Sequence, residues 1–197
     1  MLNVLADILL ADQGQSSVPL YAVPAKSADA WAKEQPASVQ AWLKSVNFRG
    51  ESQRLVYLPG ADGALAGVVL GLGPDEDAFP FAGCSAHLPS GVYRIAQAPA
   101  RHAPAHVAYA WALGTYAFSR YKRNEPRKDW PQLVTDARVD RAEVARIAEG
   151  VFLARDLVNL PSNDMGPAEL EAAARDVASR HDAKARVVVG ATLVAEN

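Results

Sequence analysis

The eight residues Leu65-Ala66-Gly67-Val68-Val69-Leu70-Gly71-Leu72 carry no polar side chain. A strand that is apolar on both faces needs cover on each side, which predicts a central strand in a sheet layered between helices. The strand is preceded by another candidate, Arg54–Leu58. Between the two, Pro59-Gly60-Ala61-Asp62-Gly63 has the Asp-Gly chemistry of a tight turn. The pair is therefore expected to form a hairpin or a close reversal. With 197 residues, half of them hydrophobic and 21% charged, the chain has material for one globular domain, or for one domain and part of a second.

Other elements follow from spacing and punctuation. Pro19–Val23 reads as a short strand. Val39, Trp42, Leu43 and Val46 recur at helical spacing and predict a helix over Ser38–Asn47. Phe81–Leu88 reads as a short helix and Gly91–Gln97 as a strand. Ala105–Lys122 reads as a long, mostly buried helix, and Gln132–Thr135 as a last short strand.

Asp140 with Glu143 forms a capping box that opens a further helix, whose apolar face runs through Val144, Ile147, Ala148, Val151 and Val158. Pro161 stops that helix at Leu160, because proline lacks a donor and disfavours helical geometry in its predecessor. Pro167 starts another, with Glu169 near its positive pole and Leu170, Ala174 and Val177 facing inward. Ala185–Val189 is expected to be a strand, and Thr192–Asn197 a helix that is cut off. The resulting division is an amino-terminal domain over 1–138, a linker helix over 139–160 and the start of a second domain over 161–197.

The net charge of −2 gives no general attraction to nucleic acid or to an anionic membrane. No basic leader precedes an apolar segment, and no apolar run is long enough to span a bilayer. The single cysteine, Cys84, has no internal disulfide partner, which fits a cytoplasmic setting and a buried structural thiol. The cluster Arg120-Tyr121-Lys122-Arg123 with Arg127-Lys128 reads as a solvated helix end, suited to the negative pole of the dipole, before it reads as a phosphate site. Gly71-Leu72-Gly73 lacks the third glycine of a dinucleotide loop and runs into the acidic Asp75-Glu76-Asp77. His102 and His106 have zinc-like spacing, but Pro104 lies between them, so both are expected in a loop. Asp156, Asp164 and Glu169 are explained by capping and solvated turns. No catalytic constellation is visible.

The run Ala154-Arg155-Asp156-Leu157-Val158-Asn159-Leu160-Pro161-Ser162-Asn163-Asp164-Met165-Gly166-Pro167-Ala168-Glu169-Leu170-Glu171 closely resembles the domain junction of the leucyl aminopeptidase (cytosol aminopeptidase) metallopeptidases. Leu58–Gly63, Gly67–Gly73, Leu88–Gly91 and Leu113–Lys122 resemble that family's amino-terminal domain. The resemblance implies a small mixed-sheet α/β domain flanked by helices, then a linker helix and the first helix–strand unit of a second α/β domain. It implies a parent enzyme that removes amino-terminal residues from peptides with two divalent ions, zinc, manganese or magnesium, and that assembles as a homo-hexamer. Some members also bind DNA through this domain, which makes an interaction module at Arg120–Lys128 the alternative. The family's metal ligands and catalytic Lys and Arg belong to motifs that are not found here. Thr135-Asp136-Ala137 echoes one of them, but Arg138 stands where Glu is required and the echo precedes the junction. No catalytic, metal-binding or cofactor-binding residue is therefore assigned, and the 197 residues are expected to be inactive and metal-free on their own.

Overall fold

A computed structural model describes residues 5, 7–74, 79–123, 127 and 129–195. These divide into two compact units, residues 1–152 and 153–197. The first holds a six-stranded mixed sheet of order β1-β6-β5-β2-β4-β3, formed by β1 (Leu9–Leu10), β2 (Val18–Val23), β3 (Leu55–Pro59), β4 (Leu65–Gly71), β5 (Val92–Gln97) and β6 (Gln132–Val134). All neighbouring pairs are parallel except β3 with β4, the expected hairpin. Its turn closes through Gly60 N to Ala64 O at 2.7 Å and Ala64 N to Asp62 Oδ1 at 3.0 Å, and Gly63 takes φ +79°, where glycine meets no Cβ penalty.

Strand alternation sends side chains to two separate cores. Leu20, Ala22, Val68 and Leu70 face one, Val23 and Val69 the other. The first core packs α3 (Ala82–His87), α4 (Pro104–Leu113) and the beginning of α5 (Arg141–Asn159) through Cys84, Trp111, Val144, Ala148 and Phe152. The second packs α1 (Ala28–Lys33) and α2 (Ala37–Ser45) through Trp31 and Leu43. The two-faced apolarity of Leu65–Leu72 thus translates into a sheet covered on both sides, with Val68, Val69 and Leu70 fully buried.

Several boundaries differ from expectation. The helix predicted over Ala105–Lys122 ends at Leu113, because a Cβ on Gly114 would lie 2.1 Å from Ala82 O and 2.2 Å from Ser85 Oγ. The backbone there is wedged against α3, and the β-branched and aromatic residues that follow give little local drive to continue a helix. Strand β1 and helix α1 were not foreseen, since two and six residues are too few to establish a period. On α5 the predicted apolar face holds only in part: Val144 and Ala148 are buried and Val151 is half-buried, while Ile147 and Val158 are exposed. The N-terminal cap is as expected, with Glu143 N donating to Asp140 Oδ1 at 2.9 Å.

Within the second unit, α5 ends at Asn159, the chain turns with Asp164 N on Pro161 O at 2.9 Å, and α6 (Pro167–Arg180) begins with Gly166 N donating to Glu169 Oε2 at 2.9 Å. Helix α7 covers Ala191–Ala195, and the predicted helix end at 196–197 lies outside the described residues. Two expectations fail. Ala185–Val189 pairs with no described strand and so forms none, and Leu170 and Ala174 are exposed rather than inward, with Val177 half-buried. No described residue from Leu153 to Ala195 is buried, so this unit has no core of its own.

Gly71 is as closely packed as Gly114: a Cβ there would sit 2.1 Å from Glu51 O. Gly71→Ala is expected to lower unfolding free energy by about 3 kcal/mol. Gly150→Ala, on the exposed side of α5 with nothing within 4 Å, should raise it by about 0.8 kcal/mol. Urea unfolding monitored by tryptophan fluorescence checks both.

Candidate functional site

In open α/β sheets, ligands bind beyond the carboxyl ends of the parallel strands, near the point where strand order reverses. Here the chain leaves β2 toward β4 and β3 on one side, and later fills β5 and β6 on the other. Two adjoining clefts open at that edge and share Ala98 and Pro99. The smaller, about 350 Å³, lies at the carboxyl ends of β2 and β5, where Trp31 Nε1 donates to Gln97 Oε1 at 2.9 Å. The larger, about 620 Å³, extends over β5, β6 and the segment after β1, within the size range of small-molecule sites.

The floor of the larger cleft is apolar, built from Ile95, Val107, Leu133 and Val134. Its rim is charged. Arg94 Nη2, on β5, reaches Asp12 Oδ1 at 2.9 Å, and since β6 lies between β1 and β5 the pair bridges the carboxyl end of β6. A second pair, Arg138 with Asp136, stands just beyond β6, with Nε to Oδ1 at 2.8 Å and Nη2 to Oδ2 at 2.9 Å. The backbone beneath is fixed by Thr135, whose N and Oγ1 both donate to Leu10 O at 2.9 Å. Hydrogen bonds from the Arg138 side chain and its backbone N hold the Asp136 carboxyl down at about 2, and the Arg94 guanidinium holds Asp12 well below the usual carboxylate range. The Thr135-Asp136-Ala137-Arg138 echo noted in the sequence therefore borders a cleft, with Arg138 acting as the partner of Asp136. Arg94 and Asp12 were not singled out, because a pair separated by 82 residues leaves no local signal.

The remaining candidates have structural roles. Gly71-Leu72-Gly73 cannot cradle a phosphate: its three N–H groups donate to Arg54 O at 2.8 Å, Val23 O at 3.0 Å and Gly50 O at 2.8 Å. The acidic Asp75–Asp77 lies outside the described residues. His102 sits in a turn against Phe81, ring centroids 5.5 Å apart, whereas His106 is on α4 rather than in a loop. Cys84 is fully buried and desolvation pushes its thiol up, which removes the thiolate that reactivity requires. Asp156 lies inside α5 and not at a cap, while Asp164 and Glu169 occupy the turn and the start of α6. Among the described residues, no three His, Cys, Asp or Glu side chains converge to hold a metal ion, and no helix is long and apolar enough to cross a membrane.

The basic cluster is not a helix end, since α4 has already stopped at Leu113. Asn124, Glu125, Pro126 and Lys128 lie outside the described residues. Arg127 serves a different helix. It donates to Ala86 O at 3.0 Å and to Ser85 O and Leu88 O, the exposed carbonyls at the end of α3, and its guanidinium lies 5.1 Å from the Trp130 ring centroid. With Arg127 committed to the fold, the cluster loses part of the charge that a nucleic-acid patch would need.

Residues 18–134 match the family model described as the N-terminal domain of M17 aminopeptidases. The chain is 35% identical over 153 residues to a probable cytosol aminopeptidase of Leifsonia xyli subsp. xyli, covering 68% of this chain and 31% of that protein. It is similar in structure to the cytosol aminopeptidase of Coxiella burnetii, with a TM-score of 0.78 and 28% identity over 95% of this chain and 41% of that one. A likeness in fold extends to the bottromycin maturation enzyme BotP in complex with Mn, with a TM-score of 0.64 and 23% identity over 91% of this chain and 40% of that one. The chain thus spans only 31% to 41% of these proteins' length.

Two outcomes follow from this geometry. A carboxyl held low stabilises the fold above its unfolded value and ceases to do so as pH falls through the folded one. The Asp136 contribution should therefore be lost between about pH 4 and pH 2. NMR titration should place this carboxyl near 2, and Arg138→Ala should raise it, though not to the unperturbed value, because the backbone N–H of residue 138 still donates to it. Arg127→Ala should cost about 2 kcal/mol in thermal unfolding, whereas Arg120→Ala should stay within about 0.5 kcal/mol of the parent.

Proposed function

This chain belongs to the M17 aminopeptidase family and carries its N-terminal domain, and on that premise we propose that it is the amino-terminal portion of a two-metal leucyl aminopeptidase-like enzyme. In this reading the whole protein hydrolyses amino-terminal residues from peptides, is cytoplasmic and assembles as a homo-hexamer. Residues 1–138 form the accessory domain, 139–160 the linker helix and 161–197 the first part of the catalytic domain. The observation that carries the reading is the contrast between the two units. The first holds a six-stranded sheet with two cores and contains residues 18–134, the part that matches the family's N-terminal domain, whereas Leu153–Ala195 has not one buried described residue. A segment without a core needs further chain to pack against, and the relatives are more than twice as long.

The metals implied by the family do not fit the residues present. A hydrolytic dinuclear centre needs several converging carboxylate or imidazole ligands, and no such group of three exists among the described residues. We therefore assign the ions, zinc, manganese or magnesium, to residues outside this chain, and derive no catalytic step from the residues within it. The interaction-module alternative is not favoured, because Arg127 is engaged in holding α3.

The test is a comparison of two proteins, this chain and a longer one, of its relatives' full length, that contains it. With leucine p-nitroanilide and added Mn²⁺, the longer protein should turn over and this chain should not exceed a metal-free blank. Turnover by the chain alone, or none by the longer protein with any of the three ions, would overturn the proposal.

A further inference from the structure

The two ion pairs bordering the 620 Å³ cleft are an unusual lining for a cavity with an apolar floor. Each guanidinium is matched by a carboxylate, Arg94 by Asp12 and Arg138 by Asp136, so the rim's paired charges sum to zero. A purely anionic ligand taking Arg138 would leave Asp136 without a counter-charge, and a purely cationic one taking Asp136 would strand Arg138. A ligand bearing both charges close together leaves neither unmatched. It can open the Asp136–Arg138 pair and replace one contact by two.

That pair is the one able to open. Its arginine side chain is 78% exposed, and an ion pair so wet contributes little to stability. The Asp12–Arg94 pair spans the end of β6 and has the less exposed arginine, 35% against 78%, and both partners make a further hydrogen bond, Arg94 Nε to Ser17 Oγ at 3.4 Å and Gly14 N to Asp12 Oδ1 at 3.0 Å. Beneath them the half-buried Ile95, Ala98, Pro99 and Pro104 offer a surface for an apolar side chain. The volume exceeds what one amino acid needs and accommodates a dipeptide.

We propose that this cleft binds a zwitterionic ligand, a free apolar α-amino acid or short peptide, with its carboxylate on Arg138, its ammonium on Asp136 and its side chain against Ile95 and Pro99. The site belongs to the first unit alone and stands apart from the peptidase reading, since its residues take no part in hydrolysis. Failure of one therefore leaves the other intact.

The experiment is a titration of the full chain with L-leucine, followed by amide shifts in nitrogen-15 NMR. Saturable shifts are expected at Val134–Arg138 and Arg94. Leucinamide, which lacks the carboxylate, and N-acetyl-L-leucine, which lacks the ammonium, should each bind at least about tenfold more weakly. Arg138→Ala and Asp136→Asn should each weaken leucine by at least about tenfold, with Arg138→Lys restoring part of the loss. Both positions are exposed, so these variants should keep the parent's Tm, and Arg120→Ala should bind as the parent does. Absence of saturation up to about 10 mM leucine overturns the proposal. So does binding of either analogue as tightly as leucine, or indifference to both charge-removing variants.

Discussion

Burial of β4 on both faces governs how everything else is arranged. A strand with Val68 and Leu70 on one side and Val69 on the other must sit between two helical layers, and its neighbours β2 and β3 are drawn into the same constraint. The carboxyl end of β4 is closed as tightly as its middle. Residues Gly50–Arg54 fold back over Gly71–Gly73, and glycine is required there because no side chain fits beneath Glu51. This closure also decides chemistry: the one glycine-rich turn that resembles a phosphate loop has its donors consumed by the fold, so ligand access shifts to the other half of the sheet.

The parts legible in the sequence were those whose determinants are local. The Asp-Gly turn, the proline that ends α5 and the carboxylate cap that starts it act within four residues of the backbone they control. Each appears where it was read. The misreadings share a different cause. Ala105–Lys122 has the composition of one helix, but the packing of Gly114 onto α3 ends it at Leu113, and that packing depends on residues almost thirty positions away. Ala185–Val189 has the composition of a strand, but a strand exists only with a partner to pair with. The apolar face drawn through α5 and α6 needs something to cover it, and within this chain nothing buries Val158 or Leu170.

Site legibility follows the same rule. The Thr135–Arg138 stretch drew notice as a defective copy of a catalytic motif, yet its place in the structure depends on Leu10, Asp12 and Arg94, none of which lies near it in sequence. In the basic cluster, by contrast, charge alone was visible. The three carbonyls at the end of α3 that make Arg127 a structural residue could not be anticipated from its neighbours.

The pairing of β1 with β6 has a consequence for how the molecule is made. Thr135 donates to Leu10 across 125 residues of chain, so of the sheet's six strands the first to be synthesised is held by the last. Until β6 has been synthesised, β1 has no partner and that edge of the sheet stays open. Local pairings such as the β3–β4 hairpin can form early, but loop closure over so long a span comes late and slowly. The larger cleft, which spans the ends of β1, β6 and β5, can therefore exist only once the sheet is complete.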